Sequence, residues 1–275
     1  MASDLHTHTN FSDGSFSPEE LVAAAKNLKL NYLGITDHDT VDGIIHLYEN
    51  GLYPNKGINI IPGIEFSANN PEHDVHLVGY NIDIYDGTLQ DRLTEVTEAR
   101  WTRFSEIMNK LQENGLQIKE ADVLKIATTS KSIGRSHIAR ALVRNGCFNS
   151  VREAFEQMLQ KGQPAYVPRY LLEVEEIVEI VHNCGGIVAL AHPKLICDDN
   201  LVEEICSNQS IDALEVFYPY HNLEDTQRYI KIAEKYNLLL VGGSDFHGTA
   251  SRYVKELGEF TIEDEIAEKF YQPMK

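Results

Sequence analysis

Short apolar runs that stop at a histidine or a carboxylate recur along this chain. They cover residues 3–8, 32–39 (YLGITDHD), 58–66 (INIIPGIEF), 75–80, 187–193 (IVALAHP), 213–219 (ALEVFYP) and 238–247 (LLLVGGSDFH). Rich in Ile, Val and Leu and bounded by Gly or Pro, such runs read as buried strands. Helical patterns separate most of them. Ser17-Pro18-Glu19-Glu20 is a capping box with proline at the first helical position, followed by Leu21, Val22, Ala25 and Leu28 at helical spacing. Residues 173–183 place Val174, Ile177, Val178 and Val181 on one stripe that ends at Gly185-Gly186. Residues 222–236 and 262–270 carry helical patterns too. Alternation of strand and helix predicts a mainly parallel sheet. Six of the seven runs end in polar residues able to bind a ligand, which favours a distorted (β/α)7 barrel over an open sheet, because barrel active sites gather at the C-terminal rim.

The alternation breaks between 85 and 170. Residues 88–113 predict one long amphipathic helix, and 120–127, 136–145 and 150–161 predict shorter ones. Gly146 and Gly162 stand where C-caps belong. The segment 85–170 is therefore expected to be a helical insertion on the barrel rim, with 1–84 and 171–275 forming the barrel. No internal repeat or linker is visible.

Composition narrows the function classes. The 275 residues carry a formal net charge of −18, which opposes binding to duplex nucleic acid but not to a small phosphorylated molecule. No apolar run approaches the ~18 residues of a membrane span, and no secretory pattern opens the chain, so a soluble cytoplasmic protein is expected. Four scattered cysteines without a CxxC pair read as reduced thiols.

The eleven histidines change the picture, because of where they fall. His6 and His8 are two apart on a strand and point to one face. Asp13 follows in a turn, His38 lies within Thr36-Asp37-His38-Asp39, and Glu65 ends the third run. His76, His192, Asp245 and His247 complete six histidines and three carboxylates from six strand-end regions. His46, His73 and His182 read as ordinary core or surface residues. Mixed imidazole and carboxylate without thiolate suits Mn, Fe or Zn. Nine ligands exceed the needs of one ion, so two or three ions with Glu65 as a bridge are expected. Closely spaced ions can activate a hydroxide and stabilise both oxygens of an in-line displacement at phosphorus. Asp37 and Asp39 are expected to steady His38 by hydrogen bonds.

Asp4-Leu5-His6-Thr7-His8, Thr36-Asp37-His38-Asp39, Pro62-Gly63-Ile64-Glu65, Ala191-His192-Pro193 and Ser244-Asp245-Phe246-His247 resemble the motifs of the PHP (polymerase and histidinol phosphatase) family, almost end to end. The resemblance implies a distorted (β/α)7 barrel with a trinuclear metal site. It implies His6, His8, Glu65 and Asp245 around one ion, Glu65, His76 and His192 at a second, and Asp13, His38 and His247 at a third. Of these, Asp13, His38, Glu65, Asp245 and His247 are expected to be catalytic as well.

Gly134-Arg135-Ser136-His137 opens a short helix, where free N–H groups favour an anion. Arg135 offers a planar fork for phosphate oxygens and His137 a further donor. The segment resembles the R-x-H of PHP proteins that remove the 3′-phosphate of nucleoside 3′,5′-bisphosphates, and relatives of this layout also trim short RNA from the 5′ end. Lys194 is a further candidate cation, with simple solvation as its alternative. Tyr218, Tyr220 and His221 follow the sixth strand and could line a base or ribose pocket. His221 or His137 is a candidate acid for the leaving alkoxide. The leading expectation is a metal-dependent bisphosphate phosphatase. The alternatives are a 5′-to-3′ exonuclease on short oligonucleotides, a histidinol-phosphate or phosphotyrosine phosphatase, and, last, a non-catalytic metal-binding module. Oligomeric state is not legible.

Overall fold

The apolar runs do become strands, because each alternates one face toward flanking helices and the other toward a shared interior. The computed structural model describes residues 2–128, 130–208, 210–248 and 254–272. Its strands are β1 (Ala2–Asp4), β2 (Leu30–Ile35), β3 (Asn59–Ala68), β4 (Val75–Tyr80), β5 (Ile187–Leu190), β6 (Ala213–Phe217), β7 (Leu239–Gly242) and β8 (Ile262–Glu263). They form one sheet in the order β7-β6-β5-β4-β3-β2-β1-β8. The sheet curls into a nearly closed α/β barrel: beyond β1 and β7, Thr7 bridges Phe246 in parallel, and His8 N–H donates to Phe246 O at 2.9 Å.

Two features depart from the expected parallel order. β4 is antiparallel to both β3 and β5. Only residues 69–74 join β3 to β4, and no helix lies in them, so the chain doubles back as a hairpin must. The run 262–270 is not one helix: it begins as β8, pairs antiparallel with β1, and only then turns into a short helix at Asp264–Ala267. Helices at Asp42–Glu49 and Asp199–Asn208 were not anticipated. The other helices are α1 (Pro18–Asn27, with its capping box), α3 (Gly87–Glu113), α4 (Glu120–Ala127), α5 (Arg135–Arg144), α6 (Val151–Ala154, continued by a π-turn), α7 (Val174–Asn183) and α9 (Leu223–Tyr236), numbering Asp42–Glu49 as α2 and Asp199–Asn208 as α8.

Period-two alternation divides the core. On β3, Ile60, Ile64 and Phe66 pack outward with the helices, whereas Ile61 faces the barrel interior with Leu5, Val78, Tyr80, Ala189 and Val241. Glu65 is an even number of residues from Ile61, so it shares that inner face. The interior is therefore apolar toward one end and carries ligand-type side chains toward the other. A third apolar cluster, from Phe104 to Val167, belongs to α3–α6 and the chain after them.

The barrel closes where Gly243 passes over His6. A methyl built there would lie 2.3 Å from His6 N and 2.4 Å from His6 Cβ, both too close to coexist. Gly243→Ala should cost about 3 kcal/mol, at the upper end of overpacking penalties, read as a lower midpoint in urea unfolding. An unchanged midpoint would mean the seam is slack.

Candidate metal centre

Backbone pairing continues past the strand ends and carries the candidate ligands. Thr36 N–H donates to Thr7 O at 2.9 Å, Glu65 N–H to Asp37 O at 3.1 Å, Asp39 N–H to Glu65 O at 3.0 Å and Ala191 N–H to His76 O at 3.0 Å. Main-chain bonds thus set the rows on which His8, His38, Glu65, His76 and His192 stand. The Asp13 turn is held from below. Asp37 accepts from Thr9 N at 2.7 Å, from Thr9 Oγ1 at 2.6 Å and from Ser12 Oγ at 2.5 Å. Asp37 therefore organises the 9–13 turn rather than His38, and Asp39 pairs with Arg100 of α3.

All nine predicted residues converge. Ligand atoms within 4.8 Å of one another form three groups: His6, His8, Glu65 and Asp245; His8, Asp13, His38 and His247; and His38, Glu65 and His76. The first matches the expected set. The second adds His8 to the expected Asp13, His38 and His247. The third has His38 where His192 was expected, although His192 Nε2 donates to Glu65 Oε1 at 3.0 Å. His192 and Asp245 stand at φ of 25° and 53°, backbone strain of the kind retained where side-chain aim matters.

Glu65 is the hub. It is 0% exposed, and five imidazoles surround it. His76 Nδ1 is 2.8 Å from Oε1; His38 Nδ1, His6 Nε2 and His8 Nε2 are 3.0, 3.3 and 3.3 Å from Oε2. Burial alone would push its carboxyl up, but His38, His6 and His76 hold it well below the usual range. Asp13 is likewise kept ionised against burial, chiefly by His247. His38, by contrast, is pushed down to about 3 by burial, against the pull of Glu65. The cage is thus a set of firmly ionised carboxylates among imidazoles.

The donor set fits divalent cations. His6 Nε2, both ring nitrogens of His8, Asp13 Oδ1, His38 Nδ1 and Glu65 Oε2 are buried and make no hydrogen bond, a concentration that ordinary cores do not tolerate. His6 shows why. Its Nδ1–H donates to Glu215 Oε1 at 3.0 Å, which leaves the Nε2 lone pair directed at Glu65 and Asp245. Glu215, in the middle of β6, was missed in the sequence. Its other oxygen accepts from His192 N–H at 2.6 Å, so one buried carboxylate fixes two members of the cage. Only its charge inside an apolar run (ALEVFYP) could have flagged it.

The predicted substrate residues lie around this cage with partners of their own. Arg135 Nη1 donates to Leu159 O at 3.2 Å, and its guanidinium lies 5.6 and 5.7 Å from the Phe155 and Tyr166 ring centroids. His137 Nδ1 accepts from Gly134 N–H at 3.1 Å, and the ring is also hydrogen-bonded to the Ser12 backbone. His221 Nδ1–H donates to Val216 O at 2.8 Å, and burial lowers its pKa. His221 Nε2 is buried and makes no hydrogen bond, so that ring keeps one nitrogen uncommitted. Lys194 pairs with Asp225, so it is not simply solvated. His46, His73 and His182 have ordinary partners in Glu19, Ile196 O and Asp212.

A barrel with this cage defines a metal-dependent hydrolase acting on phosphate esters. Residues 4–176, more than half of the chain, match the family model described as PHP domain, and the chain belongs to that family. It is 32% identical over 251 residues to the 5′-3′ exoribonuclease Rnm of Salmonella typhimurium, covering 89% of this chain and 84% of that protein. It is 29% identical over 248 residues to the 3′,5′-nucleoside bisphosphate phosphatase of Chromobacterium violaceum, covering 89% and 86%. A solved structure from Bifidobacterium adolescentis, described as a metal-dependent phosphoesterase, superposes with a TM-score of 0.85 at 29% identity over 98% of this chain and 94% of that one. Among the described residues no helix is long and apolar enough to cross a membrane.

Glu215→Gln should weaken Mn binding about 10- to 100-fold, as loss of a carboxylate behind a ligand histidine does. Calorimetric titration of the chelated protein reads this directly. Unaltered affinity would assign Glu215 to packing alone.

Proposed function

We propose that this hydrolase removes the 3′-phosphate of nucleoside 3′,5′-bisphosphates, giving the 5′-monophosphate and inorganic phosphate. The join between α5 and the metal-bearing turn carries this reading. Ser136 Oγ donates to Asp13 Oδ2 at 2.7 Å and Arg140 Nη1 to Asp13 O at 3.4 Å, so the helix start bearing Arg135 abuts a residue of the cage. An anion held at that helix start and an ester held at the cage can belong to one nucleotide. Binding at the remote phosphate then orients the scissile one.

In this reading His6, His8, Glu65 and Asp245 hold one ion. Glu65, His76 and His38 hold a second with His192 beside them, and Asp13, His38 and His247 hold a third. Two or three cations, Mn or Fe by preference and Zn as the alternative, suit such donors. When bound they would supply Lewis acidity at the phosphoryl oxygens and a water of lowered pKa. The protein's own groups do the rest. Arg135 forks onto oxygens of the second phosphate, His137 keeps Gly134 and the Ser12 turn in register beneath it, and Lys194, Tyr220 and His221 border the nucleoside side. The domain division follows: a barrel of 1–84 and 171–275 performs hydrolysis, and the 85–170 insertion selects substrate.

A second reading has specific support in the exoribonuclease relative, since the same anchor would hold the 5′-phosphate of a short oligonucleotide. One panel separates them: phosphate release from adenosine 3′,5′-bisphosphate and 3′-AMP, against mononucleotide release from 5′-phosphorylated oligomers. The bisphosphate should be preferred over 3′-AMP, and Arg135→Ala should cut that preference about 30-fold, the loss of one buried charge-assisted contact. Equal rates on both monomers would remove the clamp, and faster mononucleotide release would favour the exonuclease. Glu65→Gln should abolish every hydrolysis and lower the bound Mn measured by elemental analysis, because a neutral amide bridges two cations poorly. Retained turnover would take Glu65 out of the reaction.

A further inference from the structure

Among β1–β7, only β6 and the turn after it carry none of the nine cage residues. Their polar side chains stand behind residues supplied by other strands. Glu215 does so for His6 and His192. Tyr218, just past the end of β6, does so for Asp245: its hydroxyl donates to Asp245 Oδ2 at 3.0 Å. The sequence offered Tyr218 as a wall of a base or ribose pocket, but the side chain is only 1% exposed.

The two oxygens of Asp245 have separate surroundings. Oδ1 lies 3.2 Å from His8 Nε2 and 3.7 Å from His6 Nε2, on the cage side, while Oδ2 takes the Tyr218 hydroxyl. The main chain around Asp245 is well fixed. Ser244 N–H donates to Asp4 at 2.9 Å, Phe246 bridges Thr7, and Asp245 itself stands at φ 53°. None of this sets the plane of the carboxylate, because the torsion that turns it is soft and has no sharp staggered wells. Tyr218 can set it, because the phenol is itself held. Its ring centroid lies 5.5 Å from that of His192 and 5.3 Å from that of His221. His221 N–H donates to Tyr218 O at 2.9 Å and its Nδ1–H to Val216 O at 2.8 Å, and the imidazole packs 4.9 Å from the Tyr229 ring of α9. A row of rings thus runs from the cage to α9, with the hydroxyl aimed at one oxygen.

We propose that Tyr218 is a positioning residue of the metal centre: by occupying Asp245 Oδ2, it holds Oδ1 as the oxygen presented to the group formed with His6, His8 and Glu65. The inference rests on the cage as a metal site and is independent of which phosphate ester is hydrolysed. Without the hydroxyl, the carboxylate is free to turn, and a donor that must be reoriented binds an ion less tightly than one already in place.

The test is calorimetric titration of the chelated full-length protein with Mn. Tyr218→Phe keeps the ring and should weaken Mn binding about 10-fold, in the range for residues that orient a ligand. In an Asp245→Asn background the same change should have no further effect, because a residue that acts through Asp245 is coupled to it. At limiting Mn, Tyr218→Phe should lower kcat on 4-nitrophenyl phosphate with KM unchanged, and excess Mn should restore part of it. Electron paramagnetic resonance of the Mn-saturated protein gives a readout that needs no second variant: the Tyr218→Phe spectrum should differ from wild type. Unchanged Mn affinity and an identical spectrum would overturn the role. An equal loss of affinity in both backgrounds would overturn it too, leaving Tyr218 as packing. A wild type that takes up no Mn would overturn the cage itself and this role with it, a result distinct from a wild type that binds Mn and a Tyr218→Phe variant that binds it equally well.

Discussion

Five imidazoles lean on one carboxylate that water does not reach. Glu65 stands on β3, where the sheet changes from parallel to antiparallel, and it receives His6 and His8 from one side, His38 from above β2, and His76 and His192 from β4 and β5. A lone buried carboxylate would shed its charge; this one is held ionised by the imidazoles that converge on it, His38, His6 and His76 foremost. Much of the fold serves that convergence. The hairpin return of β4 brings His76 to face Ser67, and the closure at Phe246 brings Asp245 and His247 over His8. Without a multivalent cation to share, so many lone pairs at such distances would be a liability to folding. With one, they are a preorganised cage.

The carboxylates behind the cage are as deliberate as those in it. Glu215 orders His6 and His192, Asp37 ties down the turn that presents Asp13, and Asp4 accepts from Ser244 at the seam of the barrel. Each is buried, each is fully used, and each reaches a candidate ligand through one hydrogen bond or one turn of chain. The insertion extends the same logic outward: Ser136 and Arg140 grip the Asp13 turn, while Arg100 grips Asp39. The insertion and the cage are mechanically joined at these contacts, so a shift of the insertion would be felt by the cage.

Much of this was legible in the sequence because barrel strands announce their ends. An apolar run that stops at histidine or carboxylate marks both the strand and its rim, and most of the nine convergent residues were found that way; Asp13 was read from the turn after the first run, and His76 stands near the start of its run. What stayed hidden depends on distance in space. Glu215 lies inside an apolar run, and nothing local says that its carboxylate meets His6, more than two hundred positions earlier. That His38, rather than His192, groups with Glu65 and His76 depends on side-chain distances across the barrel, which spacing does not encode. The direction of β4 follows from a missing crossover helix, a signal that was present and outweighed by the general alternation. Arg103 reads as one more polar position on a long helix; only its burial against Val167 separates it from its exposed neighbours.

The central claim is that Glu65 is shared between cations rather than merely surrounded by histidines. Crystals of the Mn-loaded enzyme, measured across the manganese absorption edge, give the number of ions and their positions without any appeal to activity. The account predicts at least two anomalous peaks, with the Glu65 carboxylate in contact with two of them. A single peak, or peaks that leave Glu65 hydrogen-bonded only to imidazoles, would contradict it.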